Sequence, residues 1–302
     1  MRRKFHTLDV FTNEPLTGNP LAVVLDSDGL DTARMQAVAR EFNLSETVFV
    51  FAPRDPVNTA HIRIFTPAQE LPFAGHPTVG AAVLLAELRA PEILAREDIS
   101  VVLEEEVGPV TCTVRHLKGA AARASFGIPR LPEPGPAIGP PDAIAAALGL
   151  NVADIGLAGH DPTVFTAGVP FAFVPVAGRG AIGRAKPVTA HWQTAFGGGR
   201  LSAYLYCNEP EGKAHHWRAR MFGPEFGIVE DPATGSAAAA FAGVVMAYDK
   251  PADGDHTLII EQGFEMGRPS LITLGLDVSG GKLTSASIGG HAVMVAQGFI
   301  DV

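Results

Sequence analysis

Apolar and polar positions alternate with a period of two along much of the chain, and the alternation gives way twice to long stretches that are apolar on every side. The alternating segments predict strands over residues 4–10, 21–25, 47–51, 61–65, 99–116 and 120–126. Further strands are expected at 164–174 (broken by a turn), 203–207, 216–220, 257–261, 270–276 and 291–297. Residues 13–20 carry the Gly and Pro chemistry of turns, and the proline-rich stretch from Pro129 to Pro141 reads as a linker. An amphipathic helix is expected over 32–41, capped by Asp31, with Ala33, Met35, Val38 and Ala39 on its apolar face. A short helix is expected over 141–148.

The two wholly apolar stretches run from Pro77 to Leu88 and from Pro232 to Met246. Proline fits a first helical turn, where its missing N–H has no partner to lose. A helix apolar all round belongs inside a fold rather than on its surface. The expectation is an α+β, barrel-like architecture: two similar domains, each a strongly curved, mostly antiparallel sheet wrapped around one central helix. The domains are placed at 1–128, with a helix near 77–88, and 129–302, with a helix near 232–246. The last strand is a candidate to pack back onto the first domain.

A repeated motif supports the duplication. Arg63-Ile64-Phe65-Thr66-Pro67 followed by Gly75-His76-Pro77 recurs as Arg220-Met221-Phe222-Gly223-Pro224 followed by Glu230-Asp231-Pro232. Aligning His76 with Asp231 makes the second copy two residues shorter between its strand and its helix. A pseudo-twofold pair would bring two helix starts to one cleft, where the chemistry is expected.

Charge and composition narrow the function classes. A chain of 302 residues with 47% hydrophobic content has enough for two cores. The net charge of −9 and the absence of any clustered basic motif argue against a nucleic-acid partner. Met1-Arg2-Arg3-Lys4-Phe5 is not followed by an apolar run, so neither a signal peptide nor a membrane anchor is expected. Cys112 and Cys207 are too few for a disulfide framework and fit two buried, reduced cysteines in a cytoplasmic protein.

Three places offer chemistry. Glu46 stands where a helix ends and a strand begins, and partial burial there would tune a carboxyl to take and return a proton; periodicity alone favours a surface turn glutamate. His76, between Gly75 and Pro77, is an unusual N-cap, and the positive end of a helix would keep its ring neutral; an exposed turn histidine is the alternative. Asp231 before Pro232 is an ordinary cap, and Thr234-Gly235-Ser236 offers backbone N–H groups and a hydroxyl to a substrate carboxylate. The equivalent first-half stretch, Thr78-Val79-Gly80, has no serine. His215 and His216 point to opposite faces of a strand with no nearby Cys or carboxylate to complete a metal site. Gly197-Gly198-Gly199 lacks the strand and helix of a dinucleotide fingerprint and reads as a loop. No metal or cofactor is expected.

The motifs together resemble the phenazine-biosynthesis PhzF-like isomerase family, of diaminopimelate-epimerase-like fold. The matching stretches include Val10-Phe11-Thr12 through Gly18-Asn19-Pro20, Asn43 to Thr47, Glu70 to Thr78, Glu230 to Ser236 and Gln262 to Ser270. The resemblance implies a cofactor-free acid–base isomerase of a small carboxylated, cyclic and amino-acid-like metabolite, similar to trans-2,3-dihydro-3-hydroxyanthranilate isomerase. It implies that Glu46 carries the proton, that His76 and Asp231 are catalytic partners, and that Gly75, Thr234, Gly235 and Ser236 bind substrate. It also points to a homodimer. Related epimerases place two cysteines at the helix starts, which here read Phe73-Ala74-Gly75 and Asp231-Pro232-Ala233. A cysteine-independent epimerase or racemase and a non-catalytic metabolite-binding protein are the alternatives.

Overall fold

The computed structural model describes residues 1–116, 118–197 and 201–302. Gly198 and Gly199 of the triple glycine lie outside the described residues; Gly197 follows a helix with φ 72°. The chain forms two compact units, residues 1–127 with 289–302, and residues 128–288.

In the first unit the strands are β1 (Arg2–Val10), β2 (Asn19–Val24), β3 (Glu46–Phe51), β4 (Ala60–Phe65), β5 (Glu70–Leu71), β6 (Ile99–Glu105), β7 (Gly108–Arg115) and β8 (Arg123–Gly127). The helices are α1 (Thr32–Phe42), α2 (Gly75–Arg89) and the short α3 (Pro91–Leu94). Neighbours pair antiparallel except β2 with β3 and β4 with β6, which run parallel. The final strand of the chain, Lys282–Asp301, contributes its last residues here; it pairs antiparallel with β1 and also joins β8, with Ala292 N donating to Ala122 O at 3.0 Å. The ladder therefore closes on itself, which removes the unpaired edges of an open sheet.

Helix α2 fills this barrel. Its residues from Gly75 to Ala86 are all buried, as expected of a helix without a polar face. Gly80 permits the close approach: a Cβ there would stand 2.6 Å from Leu21 Cδ2 and 2.8 Å from Val10 Cγ2. On the other side of the sheet, α1 begins as expected, with Asp31 accepting from Arg34 N at 2.7 Å, and buries Met35, Val38 and Ala39. Ala33, assigned to the same face, is exposed, because two residues turn a helix by about 200° and put it opposite Met35.

The second unit holds β9 (Glu133–Pro134), α4 (Pro141–Leu148), β10 (Thr163–Thr166), β11 (Pro170–Pro175), α5 (Arg179–Arg184), α6 (Thr189–Phe196), β12 (Ser202–Cys207), β13 (Trp217–Gly223), β14 (Ile228–Asp231), α7 (Gly235–Tyr248), β15 (Gly254–Gln262) and β16 (Ser270–Ser279), then β17 (Lys282–Asp301). Helix α7 is again buried on nearly every side, and Phe241 packs among Phe173, Tyr204, Tyr206 and Trp217 with ring centroids 4.9–6.0 Å apart. The proline-rich stretch is not a free linker. Glu133 and Pro134 pair with β10, and Gly139 N donates to Ala195 O at 2.7 Å, so it packs on the second unit.

The two units repeat each other through their ladders. His61 lies opposite Glu104 in one, Arg218 opposite Glu261 in the other. Glu104 accepts from the backbone N–H groups of Arg54 and Asp55, and Glu261 from those of Glu211 and Gly212. Arg63 holds Glu70 through two hydrogen bonds, as Arg220 holds Glu230. No described helix is long and apolar enough to cross a membrane.

Candidate functional site

Glu46 is the first residue of β3, paired with Leu21 of β2, and its side chain is largely buried. His76 sits in the first turn of α2, which starts at Gly75 after the cap residue Ala74. The structure thus corrects the expected cap: His76 is the second helical residue and Pro77 the third. Proline is tolerated there because the first N–H groups of a helix have no partner within it.

The two side chains meet. His76 Nε2 lies 3.2 Å from Glu46 Oε2, and His76 Nδ1 lies 3.3 Å from Asn19 Nδ2. The imidazole is 5% exposed, and that burial lowers its pKa from 6.5 to about 3. Its neutrality therefore comes from desolvation, where the helix end alone had been expected to supply it. An Asn19 amide that donates to Nδ1 leaves the proton of the neutral ring on Nε2, the atom nearest Glu46.

In the second unit α7 starts at Gly235 with Thr234 as its cap residue, so Asp231 does not cap the helix. Asp231 ends β14 and accepts a hydrogen bond from Thr234 Oγ1 at 2.6 Å. Gln262, at the end of β15, ties the turn together: Nε2 donates to Asp231 O at 2.8 Å and to Thr234 Oγ1 at 2.9 Å, and Oε1 accepts from Thr234 N at 3.1 Å. Gly263 must be glycine, with φ 78° and a Cβ position only 2.5 Å from Pro232 O. The Tyr204 hydroxyl is fully buried, and burial, aided by the charge of Asp231, pushes its pKa up. Ser236 is half-buried as the second residue of α7.

These helix starts reset the register of the repeat. Arg63–Glu70 matches Arg220–Glu230, and the pairing of Ile64 with Leu71 matches that of Met221 with Asp231. Ala74-Gly75-His76 therefore corresponds to Thr234-Gly235-Ser236, and Asp231 to Leu71 rather than to His76. The second copy is longer, not shorter, and the serine does have a first-half counterpart, His76. By the same ladders Glu46, opposite Leu21, matches Ser202, opposite Phe171.

Cys112 and Cys207 are buried on β7 and β12, and burial raises both thiol pKa values. His215 does have a carboxylate neighbour, contrary to expectation: Nδ1 lies 2.6 Å from Glu261 Oε1. That carboxylate also accepts from Arg218 at 3.1 Å and from two backbone N–H groups, while His216 Nδ1 accepts from Ile259 N.

Comparison with known proteins places the chain in a family. The pattern of the phenazine biosynthesis-like protein family matches residues 8–298. The chain belongs to that family. It is 52% identical to an uncharacterized isomerase of Mesorhizobium japonicum, with 98% of each chain covered. It is 32% identical to the trans-2,3-dihydro-3-hydroxyanthranilate isomerase of Pseudomonas aeruginosa, again over 98% of each. The crystal structure of a Bacillus anthracis phenazine biosynthesis protein of the PhzF family superposes with a TM-score of 0.90 at 27% identity, covering all of both chains. As a member of this family the chain is an enzyme of the isomerase type, with the diaminopimelate-epimerase-like α+β fold.

Sequence reasoning did not single out Asn19, Tyr204, Gln262 or Glu105. Asn19 and Gln262 lay inside quoted motifs without a role. Glu105 was signalled only by the run Glu104-Glu105-Glu106 at the end of an apolar strand.

Proposed function

We propose that the chain is a cofactor-independent acid–base isomerase that moves one proton within a small carboxylated, amino-acid-like metabolite. The observation that supports this most is the buried contact of Glu46 with a neutral, N–H-bearing His76. The Glu46 carboxylate takes a proton from a substrate carbon. The C–H bond breaks, an O–H bond forms, and the electron pair moves into a new double bond; the O–H then gives its proton to a different carbon. His76, braced by Asn19 at Nδ1, stands beside the carboxylate with Nε2 3.2 Å from Oε2.

A single carboxylate fits a one-base proton shift better than a two-base epimerisation, since the counterpart of Glu46 is Ser202. The cap residues Ala74 and Thr234 carry no thiol. Asp231, fixed by Thr234, orients the substrate and helps relocate the proton that Glu46 carries, and Gly75, Thr234, Gly235 and Ser236 bind substrate. The start of α7 offers backbone N–H groups and the Ser236 hydroxyl, which suit a carboxylate.

Because a relative acts on trans-2,3-dihydro-3-hydroxyanthranilate, that compound is the first to test. Cyclic amino-carboxylates, their amides and their decarboxylated analogues form the comparison series. Carboxylates should bind and turn over while the other two fail; equal binding of all three would exclude carboxylate recognition. The proposed assembly is a homodimer, which light scattering should report as twice 31.6 kDa.

A further inference from the structure

Glu105 ends β6 inside the first unit, and the proposed chemistry does not use it. Its neighbours in the acidic run differ from it. Glu104 is held by backbone N–H groups and Asn58, Glu106 is exposed, and Glu105 is 4% exposed beneath the first turn of α2.

The Thr78 hydroxyl is one hydrogen short at this point when Glu105 is ionised. Thr78 Oγ1 lies 2.8 Å from Ala74 O and 2.7 Å from Glu105 Oε1. A hydroxyl has one hydrogen, and both neighbours are acceptors when Glu105 is ionised. The count closes when Glu105 brings the second hydrogen: its O–H donates to Thr78 Oγ1, and the Thr78 O–H donates to Ala74 O. Glu105 Oε2 is buried with no hydrogen-bond partner among the described residues, a place that suits a neutral acid and penalises a charge.

The second unit shows what belongs there. The ladders that pair His61 with Glu104 and Arg218 with Glu261 make Gln262 the counterpart of Glu105. Gln262 is neutral, donates and accepts, and pins the start of α7. A protonated carboxyl has the same capacity to donate and accept.

We infer that Glu105 is a positioning residue that works as a neutral carboxylic acid, locking the first turn of α2 through Thr78 and so fixing His76 against Glu46. This rests on the reading that His76 belongs to the site. Burial pushes the pKa of Glu105 up to about 8. The Cys112 thiol on β7 is raised in part by Glu105. Glu105 also borders a cavity of about 330 Å³ whose charged and titratable wall groups are Arg54, His61, Arg63, Glu70 and Glu106. Loss of the Glu105 proton in mildly alkaline solution removes the second hydrogen and releases the turn.

Ring spectra of protein labelled with 15N-histidine test this without any substrate, so failure of the proposed reaction leaves the test intact. The His76 signals are assigned by their loss in His76→Asn. In the wild type they should move with a midpoint near pH 8, the titration point of Glu105. In Glu105→Gln they should stay near the wild-type low-pH position throughout, and in Thr78→Val they should be displaced even at neutral pH. His76 signals that stand still in the wild type, that still titrate in Glu105→Gln, or that are undisturbed in Thr78→Val overturn the inference. So does a Glu105→Gln protein that cannot fold, since a neutral isostere is what the site is inferred to accept.

Discussion

His76 Nε2 lies 3.2 Å from Glu46 Oε2 while Nδ1 is braced by Asn19, so the ring is fixed beside the carboxylate inside the first unit. Its folded pKa of about 3 lies below the ordinary 6.5, so the unfolded chain binds more protons as pH falls. The buried neutral ring should therefore cost the fold nothing above pH 6.5 and progressively more down to about pH 3. Two pH units below 6.5 the loss is about 3 kcal/mol. Urea titrations across this range should show it for the wild type, with a flatter profile for His76→Asn; parallel profiles would contradict the assignment.

Glu105 runs the other way. A carboxyl raised from 4.5 to about 8 contributes stability that is complete below pH 4.5 and lost as pH rises through 8. At neutral pH keeping it protonated costs about 3 kcal/mol. Glu105→Gln should thus gain on the wild type between about pH 4 and pH 7, read as a growing difference in denaturation midpoint. A constant difference would mean that no proton is held there.

Much of the fold is legible in the residues themselves, and the exceptions have physical causes. Helices α2 and α7 stand out because no polar face interrupts Val79 to Ala86 or Ala237 to Val245. Their starts do not stand out, since proline marks a region where N–H groups lack partners and not one particular position: Pro77 is third in its helix and Pro232 lies in the turn before. That displacement is why the prolines align His76 with Asp231 although its counterpart in the ladders is Ser236. Glu46 and His76 are recognisable from their motifs, but Asn19 reaches His76 across 57 residues and Gln262 reaches Asp231 across 31. Local periodicity carries no information about such contacts.

Gln262 should matter for stability as well as for the site. In Gln262→Leu the carbonyl of Asp231 and the N–H of Thr234 lose a buried partner, which should cost about 2–4 kcal/mol. Equilibrium unfolding measures this, and a loss under about 1 kcal/mol would mean that water replaces the amide.

Gly80 tests the packing of α2. An alanine Cβ meets Leu21 and Val10 at 2.6 and 2.8 Å, so Gly80→Ala should destabilise by about 1–3 kcal/mol even though alanine is the better helix former. A gain in thermal midpoint would show that the barrel wall yields more easily than this packing implies.

The proposed proton shift at Glu46 is tested most directly by turnover in deuterium oxide, with trans-2,3-dihydro-3-hydroxyanthranilate as the first compound tried and the carboxylate series after it. For the compound that turns over, mass and NMR spectra of the product should show the proton relocated to a new carbon. Glu46→Gln, folded as the wild type by circular dichroism, should lose roughly 100- to 10,000-fold in rate, the range of general acid–base catalysis. A folded Glu46→Gln enzyme that relocates the proton at near wild-type rate would contradict the account.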